Sequence, residues 1–431
     1  MTKFLGIRRE DKNKWEKRVP IIPEHIRELK EKYGIETIIQ PSPIRAFTDE
    51  MYREADATVK EELSSNIIFA IKEIPISFFQ PNKTYLFFSH TIKGQEHNIP
   101  MLKKMMELKC NLIDYEKITN ENGRRLIFFG RYAGIAGMID SLWAFGQRLK
   151  WMGIKSSFSE IKQTIHYQDL DDAKEQISRI GEKIKKEGIS HSISPIVVGF
   201  AGYGNVSLGA QEILDILPVK VISPEKIKDL ADNYSENIIY KVVFKEKDMV
   251  KPRSSDHEFI LQEYYDSPHL YQPIFQKYIP SLTILLNCIF WNEKYPRLVT
   301  KDYMKKNYTD NFKLQVIGDI SVDINGAIEF TEKVTTPDNP VFTYNPKSHI
   351  ITDGYQEKGI VVLAVDNLPC EIPKESSREF SNSLFGFIPK VVKADYSVDF
   401  EELDLPDEIK RAVILYHGQL TPDYQYMNKF L

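Results

Sequence analysis

The stretch Ser194-Pro-Ile-Val-Val-Gly-Phe-Ala-Gly-Tyr-Gly-Asn-Val-Ser-Leu-Gly-Ala210 decides how the rest of the chain is organised. The residues from Ile196 to Ala201 form an almost unbroken apolar run, which is typical of a buried parallel strand. Glycines follow at once, and the residues from Ala210 to Leu217 have helical spacing. The order of strand, glycine turn and helix predicts either a dinucleotide-binding loop or a tight turn in an ordinary α/β core.

The glycine positions favour the dinucleotide-binding loop. Gly202 allows a tight turn, Gly204 lets a pyrophosphate approach the backbone, and the start of the helix offers free N–H groups. We therefore expect Gly202, Gly204, Asn205 and Val206 to bind the cofactor. The strict fingerprint has a third glycine at the position of Ser207.

The composition bounds the class of protein. A chain of 431 residues is long for one core, so two domains are expected. The contents of 42% hydrophobic and 27% charged residues are those of a globular protein. A net charge of −4 gives no bulk attraction to nucleic acid or to an anionic membrane. No apolar stretch reaches membrane-spanning length, and the first residues lack a signal-peptide core. With the net charge, these observations predict that the protein binds neither nucleic acid nor a membrane.

The cysteines and histidines predict neither disulfides nor a metal site. The three cysteines lie far apart without a CxxC pair, which fits a reduced cytoplasmic protein. The nine histidines show no spacing typical of metal ligands.

Strands and helices alternate along the whole chain. This alternation predicts an α/β protein with two Rossmann-like doubly wound parallel-sheet domains and an active cleft between them. We expect a first domain over residues 1–135 plus 374–431 and a dinucleotide-binding domain over 136–373. Particular predictions include strands at Leu126–Phe129 and Val219–Ser223, a helix linking the domains at Ala133–Gly153, and one long helix at Pro373–Lys393.

Charged side chains follow several predicted strands of the first domain, at the edge where open α/β sheets bind ligands. Lys72 is either a strand-end lysine reaching solvent or a partly buried amine that serves as a base. His90 is either a satisfied core group or an acid–base catalyst. Arg18 and Arg124 can clamp carboxylates or be structural. For the remaining carboxylates, Glu73 and Glu116 either tune the lysine or lie on the surface, and Asp319 and Asp323 either face a nicotinamide or shape a turn.

Several longer motifs occur in one order along the chain. They are Arg18-Val-Pro, Phe69-Ala-Ile-Lys-Glu, Phe88-Ser-His-Thr-Ile-Lys-Gly-Gln-Glu, Leu112-Ile-Asp-Tyr-Glu-Lys, the glycine loop, Asp319-Ile-Ser-Val-Asp, Pro296-Arg-Leu-Val-Thr and Asp366-Asn-Leu-Pro-Cys-Glu-Ile-Pro373. This order resembles the alanine dehydrogenase and transhydrogenase superfamily. Within it, the chain is most similar to the lysine–ketoglutarate reductase half of aminoadipic semialdehyde synthases, over essentially its whole length.

The resemblance implies an activity and assigns roles. The implied reaction joins L-lysine and 2-oxoglutarate into saccharopine, with Lys72 as the base and His90 as the acid. Arg18, Gln95 and Arg124 fall where the family holds its substrate, and Glu73 and Glu116 fall where it flanks the lysine. Relatives of this kind continue into a glutamate-forming saccharopine dehydrogenase, so a second step is expected to need a separate polypeptide. The sequence leaves open whether the chain forms a homo-oligomer.

The cofactor is expected to be NADP(H), with NAD(H) as the alternative. Many NAD enzymes carry an acidic residue at the end of the second strand, and the expected second strand here ends at Ser223 with lysines nearby. Ile320, Asp319 and Asp323 are expected to complete the cofactor site. Two other functions remain: reductive amination of a small 2-oxo acid, as in alanine dehydrogenase, and a cofactor-binding relative without turnover.

Overall fold

The computed structural model describes residues 3–431, and the chain divides into two compact units. The first unit comprises the chain up to Phe129 together with Pro373–Leu431, and the second comprises Gly130–Ile372. Each unit contains a mixed, mainly parallel sheet of eight strands with interspersed helices, so the predicted α/β class with two Rossmann-like sheets is confirmed. The strands are β1 (Lys3–Ile7), β2 (Ile35–Ile39), β3 (Thr58–Val59), β4 (Ile67–Phe69), β5 (Thr84–Phe87), β6 (Asn111–Asp114), β7 (Ile196–Ala201), β8 (Val219–Val221), β9 (Ile239–Phe244), β10 (Val250–Pro252), β11 (Tyr271–Pro273), β12 (Ile284–Asn287), β13 (Val316–Asp319), β14 (Val341–Tyr344), β15 (Ile351–Asp353), β16 (Ile360–Leu363), β17 (Val413–Tyr416) and β18 (Gln419–Leu420).

Capping residues stabilise the ends of two of the helices. Helix α1 ends at Gly34, whose φ of 65° is the left-handed conformation that glycine adopts without strain. The side chain of Asp169 accepts a hydrogen bond from the N–H of Asp172 and so begins α5. The α-helices are α1 (Pro23–Tyr33), α2 (Asp49–Glu54), α3 (Ile99–Glu107), α4 (Gly130–Trp151), α5 (Leu170–Glu187), α6 (Asn205–Leu214), α7 (Glu246–Met249), α8 (Leu261–Asp266), α9 (Lys301–Asn307), α10 (Pro373–Phe385), α11 (Ile388–Lys393) and α12 (Asp407–Lys410).

The sheet of the first unit has a topological switch point. Its parallel strands follow the order β3-β2-β1-β4-β5-β6, and β17 and β18 extend the β6 edge in antiparallel pairing. Strands β1 and β4 are neighbours in the sheet. The chain continues from β1 to β2, toward one edge of the sheet, and from β4 to β5, toward the other edge. Ligands of open α/β sheets bind where the carboxyl ends of two such strands diverge. The segments after β1 and β4 are therefore the expected place for a site.

The sheet of the second unit is built around β7, whose six residues are all buried. Its parallel strands follow the order β8-β9-β7-β12-β13-β16, and β14 and β15 add an antiparallel edge. The strand beside β7 is therefore β9, whereas β8 pairs with β9 on its far side. The predicted strand Val219–Ser223 is present as β8, the second strand of this unit in chain order, but it ends at Val221 and does not lie beside β7.

Helix α4 crosses α6 at a distance that only glycine allows. A Cβ placed on Gly134 would lie 1.9 Å from the Val206 carbonyl oxygen, and one on Gly209 would lie 2.0 Å from the Arg131 carbonyl oxygen. Both glycines therefore allow the backbones of the two helices to come into contact. Of the glycines in the opening motif, Gly209 thus has a packing role, and the neighbouring Ser207 is fully buried.

Two predicted elements differ in the structure. Leu126–Phe129 forms no strand, because Phe129 instead stacks on Phe380 with ring centroids 4.6 Å apart. The predicted helix Pro373–Lys393 is split into α10 and α11. Proline has no N–H to continue a helix but fits a first turn, so Pro389 lies at the start of α11.

Candidate functional site

The loop after β4 carries Lys72 and is fixed by a buried carboxylate. Glu10, which follows β1, accepts hydrogen bonds from the backbone N–H groups of Ile71 at 2.6 Å and of Lys72 at 3.0 Å. Burial, followed by the nearby charge of Glu16, raises the pKa of Glu10 to about 7. The backbone of Lys72 is thus held at the switch point by a residue that the sequence analysis did not single out.

Arg18 forms a buried ion pair next to this loop. Its Nε and one terminal nitrogen donate to the two carboxylate oxygens of Glu16 at 2.7 and 2.6 Å. Both side chains are at most 3% exposed, and the guanidinium lies 4.2 Å from the ring centroid of Phe129. Burial alone would raise the pKa of Glu16, but the charge and hydrogen bonds of Arg18 hold it below its ordinary value.

Burial and charges of both signs act on the pKa of the Lys72 amine. Burial is the main cause that lowers its pKa, and the positive charge of Arg18 lowers it further. The carboxylates of Glu16 and Glu73 oppose that shift without cancelling it. Among the described residues the amine has no hydrogen-bond partner, so Lys72 is a largely buried amine of lowered pKa and not an ordinary surface lysine.

His90, Glu73 and Lys12 form a chain of charge-assisted contacts. His90 Nδ1 and Lys12 Nζ each lie 2.7 Å from a different oxygen of the Glu73 carboxylate. Burial would raise the pKa of Glu73, but His90 and then Lys12 hold it well below its usual range. Because an ionised carboxylate only accepts hydrogen bonds, Nδ1 carries the proton and Nε2 is left as the exchangeable nitrogen. This arrangement suits proton transfer at Nε2.

The backbone of His90 is held in a left-handed conformation, with φ of 48°, by a buried polar network. Asp114 accepts hydrogen bonds from the N–H of Ser89 at 3.0 Å and from the Ser89 hydroxyl. Its other oxygen accepts from the N–H of Glu116 at 2.7 Å. Asn98 also donates to the His90 carbonyl oxygen at 3.2 Å. One buried carboxylate therefore fixes both the His90 loop and the Glu116 loop.

The remaining predicted substrate residues differ in their surroundings. Glu116 is ion-paired with Arg125, and the neighbouring Arg124 is exposed in a turn without an ion pair among the described residues. Gln95 is half-buried and accepts a hydrogen bond from the N–H of Lys93 at 3.1 Å. The structure thus brings Arg18, Lys72, Glu73 and His90 together, while Gln95, Glu116 and Arg124 lie on the following loops.

The glycine loop of the second unit has the geometry that a dinucleotide needs. Gly202 follows β7 with φ of 97°, and α6 begins at Asn205 after Gly204. A Cβ placed on Gly204 would meet nothing within 4 Å, so the space beside the loop is open. The first N–H groups of α6, at Asn205 and Val206, are those that a pyrophosphate would accept from.

Asp319 ends β13 as a buried carboxylate. It accepts hydrogen bonds from the amide of Asn287 at 2.8 Å and the hydroxyl of Thr331 at 2.7 Å, and burial raises its pKa to about 6. Ile320 packs against Gly137, and Asp323 closes the loop after the left-handed residue Val322, with φ of 46°. A β-branched residue rarely adopts this conformation, so the loop after β13 is strained.

Comparisons of sequence and of structure identify the protein family to which this chain belongs. The N-terminal domain of alanine dehydrogenase/PNT matches residues 6–136, and the C-terminal domain of the same family matches residues 275–423. The chain belongs to the alanine dehydrogenase/PNT family. It is similar in fold to a solved L-alanine dehydrogenase, with a TM-score of 0.63, 17% identity and coverage of 99% of both chains.

Within the alanine dehydrogenase/PNT family, the similar relatives include enzymes named for saccharopine metabolism. Identity is 35% over 441 residues with the alpha-aminoadipic semialdehyde synthase of Arabidopsis thaliana, which covers 98% of this chain. This chain spans 41% of that relative, less than half its length. Identity is 26% with the saccharopine dehydrogenase [NAD(+), L-lysine-forming] of Yarrowia lipolytica, covering 88% of this chain and 90% of the relative.

Members of this family bind nicotinamide cofactors, and the open space at Gly204 and the free N–H groups of α6 fit one. The described residues contain no group of three or more histidine, cysteine or carboxylate side chains that would hold a metal ion. No helix within residues 3–431 is both long and apolar enough to cross a bilayer.

Proposed function

We propose that this chain is a reductase that joins L-lysine and 2-oxoglutarate into saccharopine with NADPH. One observation carries the proposal: Lys72 and His90 both lie at the switch point of the first sheet. The charges of Arg18, Glu16 and Glu73 act on the Lys72 amine, whose pKa is lowered, and Glu73 is also the hydrogen-bond partner of the His90 imidazole. The names of the relatives, an aminoadipic semialdehyde synthase and a lysine-forming saccharopine dehydrogenase, support this substrate class.

The acid–base pair supplies the proton transfers. Neutral Lys72 takes a proton from the ε-ammonium of the substrate lysine, which frees the amine to attack the ketone carbon of 2-oxoglutarate. The new C–N bond forms as the C=O π bond breaks, and Nε2 of His90 takes a proton from the attacking nitrogen and passes it to the oxygen, which gives a neutral carbinolamine. The proton that Lys72 accepted then passes to the carbinolamine hydroxyl, the C–O bond breaks, and water leaves, which gives a protonated imine. The resulting imine is reduced, and the nicotinamide cofactor supplies the hydride. Glu73 keeps the imidazole oriented through Nδ1.

Cationic and amide side chains near this pair are proposed to bind the carboxylates of the substrates. Saccharopine carries three carboxylates, so its site needs several positive or donor groups. Arg18 lies next to the acid–base pair, and the exposed Arg124 and the half-buried Gln95 lie on the two loops beyond it. A small 2-oxo acid with ammonia needs fewer such groups, and this favours the larger substrates.

A direct assay tests the proposal. The purified chain is incubated with NADPH and either L-lysine plus 2-oxoglutarate or ammonia plus pyruvate, and cofactor oxidation and products are measured. The expected result is saccharopine from the first mixture and no alanine from the second. Alanine formation without saccharopine would assign the chain to the alanine dehydrogenase reaction, and no turnover with intact cofactor binding would make it a non-catalytic relative.

A further inference from the structure

The strand beside the glycine-loop strand decides which side chain meets the ribose of a bound dinucleotide. In dinucleotide-binding sheets, a residue just after that neighbouring strand recognises the ribose 2′-hydroxyl or the 2′-phosphate that replaces it. In this chain the neighbour of β7 is β9, with Ala201 opposite Phe244. The N–H of Gly202 also donates to the Phe244 carbonyl oxygen at 3.0 Å, which ties the glycine loop to the end of β9.

Lys245 is the residue that follows β9, at the position where many NAD enzymes have an acid. Its side chain is exposed, and its Nζ lies 5.7 Å from the ring centroid of Tyr203, the residue between Gly202 and Gly204. The ammonium group therefore reaches the glycine loop itself. A lysine ammonium is a point charge that pairs well with a phosphate.

The neighbouring acid, Glu246, is engaged by two tyrosine side chains. Its half-buried carboxylate accepts a hydrogen bond from the Tyr265 hydroxyl at 2.6 Å and is also a hydrogen-bond partner of Tyr203. An acidic residue that selected the unphosphorylated ribose would need its carboxylate available for the ribose hydroxyl. Of the two side chains, that of Lys245 is the more exposed.

Ser223, by contrast, lies too far from the glycine loop for this role. It follows β8, which is separated from β7 by β9, and one strand spacing is about 5 Å. The register of β8 also ends at Val221 opposite Lys241, three residues before the Phe244 level in β9. Its hydroxyl is a hydrogen-bond partner of Glu225 in the same turn. Ser223 and Lys226 line a separate surface cavity along β8.

We propose that Lys245 binds the 2′-phosphate of NADPH and is the residue that makes this chain prefer NADPH over NADH. The inference deepens the proposed function, since it rests on the proposed use of NADPH. It replaces Ser223 as the specificity position because strand order, rather than order along the sequence, decides which side chain lies beside the pyrophosphate loop.

Direct binding separates this inference from the proposed catalysis. The affinities of 2′,5′-ADP and 5′-AMP, and of NADPH and NADH, are measured by calorimetry for the full chain, Lys245→Ala and the matched control Lys247→Ala. Lys247 is an exposed lysine two residues away and carries the same charge. We expect Lys245→Ala to weaken 2′,5′-ADP and NADPH about tenfold, the loss of one charge-assisted contact, and to change 5′-AMP and NADH less than twofold.

Further variants sharpen the test. Lys245→Asp should reverse the preference toward NADH, and the NADPH preference of the unmodified chain should fall as salt is added. The inference is overturned if Lys245→Ala leaves the ratio of the two affinities unchanged, or if Ser223→Ala or Lys226→Ala alters that ratio more. Because no turnover is measured, these outcomes hold whether or not lysine and 2-oxoglutarate react.

Discussion

Two sets of buried charged groups, one in each unit, are built in opposite ways. Beside Lys72 and His90 in the first unit, two carboxylates contact cations: Glu16 pairs with Arg18, and Glu73 contacts Lys12 and His90. In the second unit, the buried carboxyl groups of Asp140 and Glu371 meet neutral or like partners. Asp140 accepts hydrogen bonds from Thr164 at 2.7 and 2.9 Å and faces Glu371, neither of whose oxygens has a hydrogen-bond donor.

This difference separates carboxylates that stay charged from carboxyl groups that burial favours as neutral. The pKa values of Glu16 and Glu73 are held below normal, so these groups stay ionised beside the proposed proton-transfer pair. Burial raises the pKa values of both Asp140 and Glu371, and the charge of Asp140 raises the pKa of Glu371 further. The Asp140–Glu371 pair ties α4, where the second unit begins, to the turn just before its last residue, Ile372.

The largest expected effect lies in the first unit. Lys72→Met and His90→Ala should each lower turnover with lysine and 2-oxoglutarate by roughly a hundredfold to ten-thousandfold, the usual contribution of acid–base groups. Unfolding of Lys72→Met should change little, because Lys72 has no hydrogen-bond partner among residues 3–431, whereas His90→Ala also loses the contact with Glu73. Steady-state kinetics and thermal unfolding of each variant check both statements. Near-normal turnover in both folded variants would remove the pair from the mechanism.

The next effect concerns stability. Arg18→Met should lower the free energy of unfolding by about 3–5 kcal/mol, because it leaves the Glu16 carboxylate buried without a partner. The loss should shrink at low pH. Since the folded pKa of Glu16 is depressed, its stabilisation is present above the unfolded pKa and disappears as pH falls through the folded one. Denaturant unfolding at pH 4 and pH 7 measures this, with Arg124→Met as the exposed control. Equal losses for both arginines would contradict the comparison.

The smallest effect, and one of opposite sign, is expected in the second unit. Because its pKa is raised in the fold, Glu371 makes the protein less stable as pH rises from the unfolded value of about 4.3 toward the folded one. Glu371→Gln keeps a donor toward Asp140 without titrating, so it should raise stability at pH 8 by about 1 kcal/mol and leave pH 5 nearly unchanged. Melting temperatures at both pH values test this, with the exposed Glu187→Gln as the control. A destabilised variant at pH 8 would show that Glu371 is ionised.

The local pattern of apolar residues predicted where the buried parallel strands lie. It did not predict which strands pair with each other. The apolar runs that became β4, β5, β7 and β9 could be found because buried parallel strands leave a continuous signal. The antiparallel additions β14 and β15 were missed, since they are short and β15 is largely exposed. The position of β8 beyond β9 could not be predicted, because strand order depends on contacts between segments distant in sequence.

The candidate site shows the same division. Lys72 and His90 could be proposed because each follows an apolar strand, where a sheet presents ligand-binding side chains. Glu10 and Asp114 could not, because their roles are hydrogen bonds to backbone groups 61 and 25 residues away. The only sequence signal for them is a carboxylate within or beside a strand, which is common and unspecific.

The pairing of β6 with β17 has a consequence for how the protein is made. During synthesis the edge of β6, with unpaired N–H and C=O groups, has to wait until residues 413–416 leave the ribosome. The whole second unit emerges in between. The backbone N–H of Asp114, which holds the His90 loop, donates to the Ala412 carbonyl oxygen at 3.0 Å. The hydrogen bonds around the His90 loop are therefore completed only after the second unit has been translated, and until then the β6 edge is open to pairing with another nascent chain.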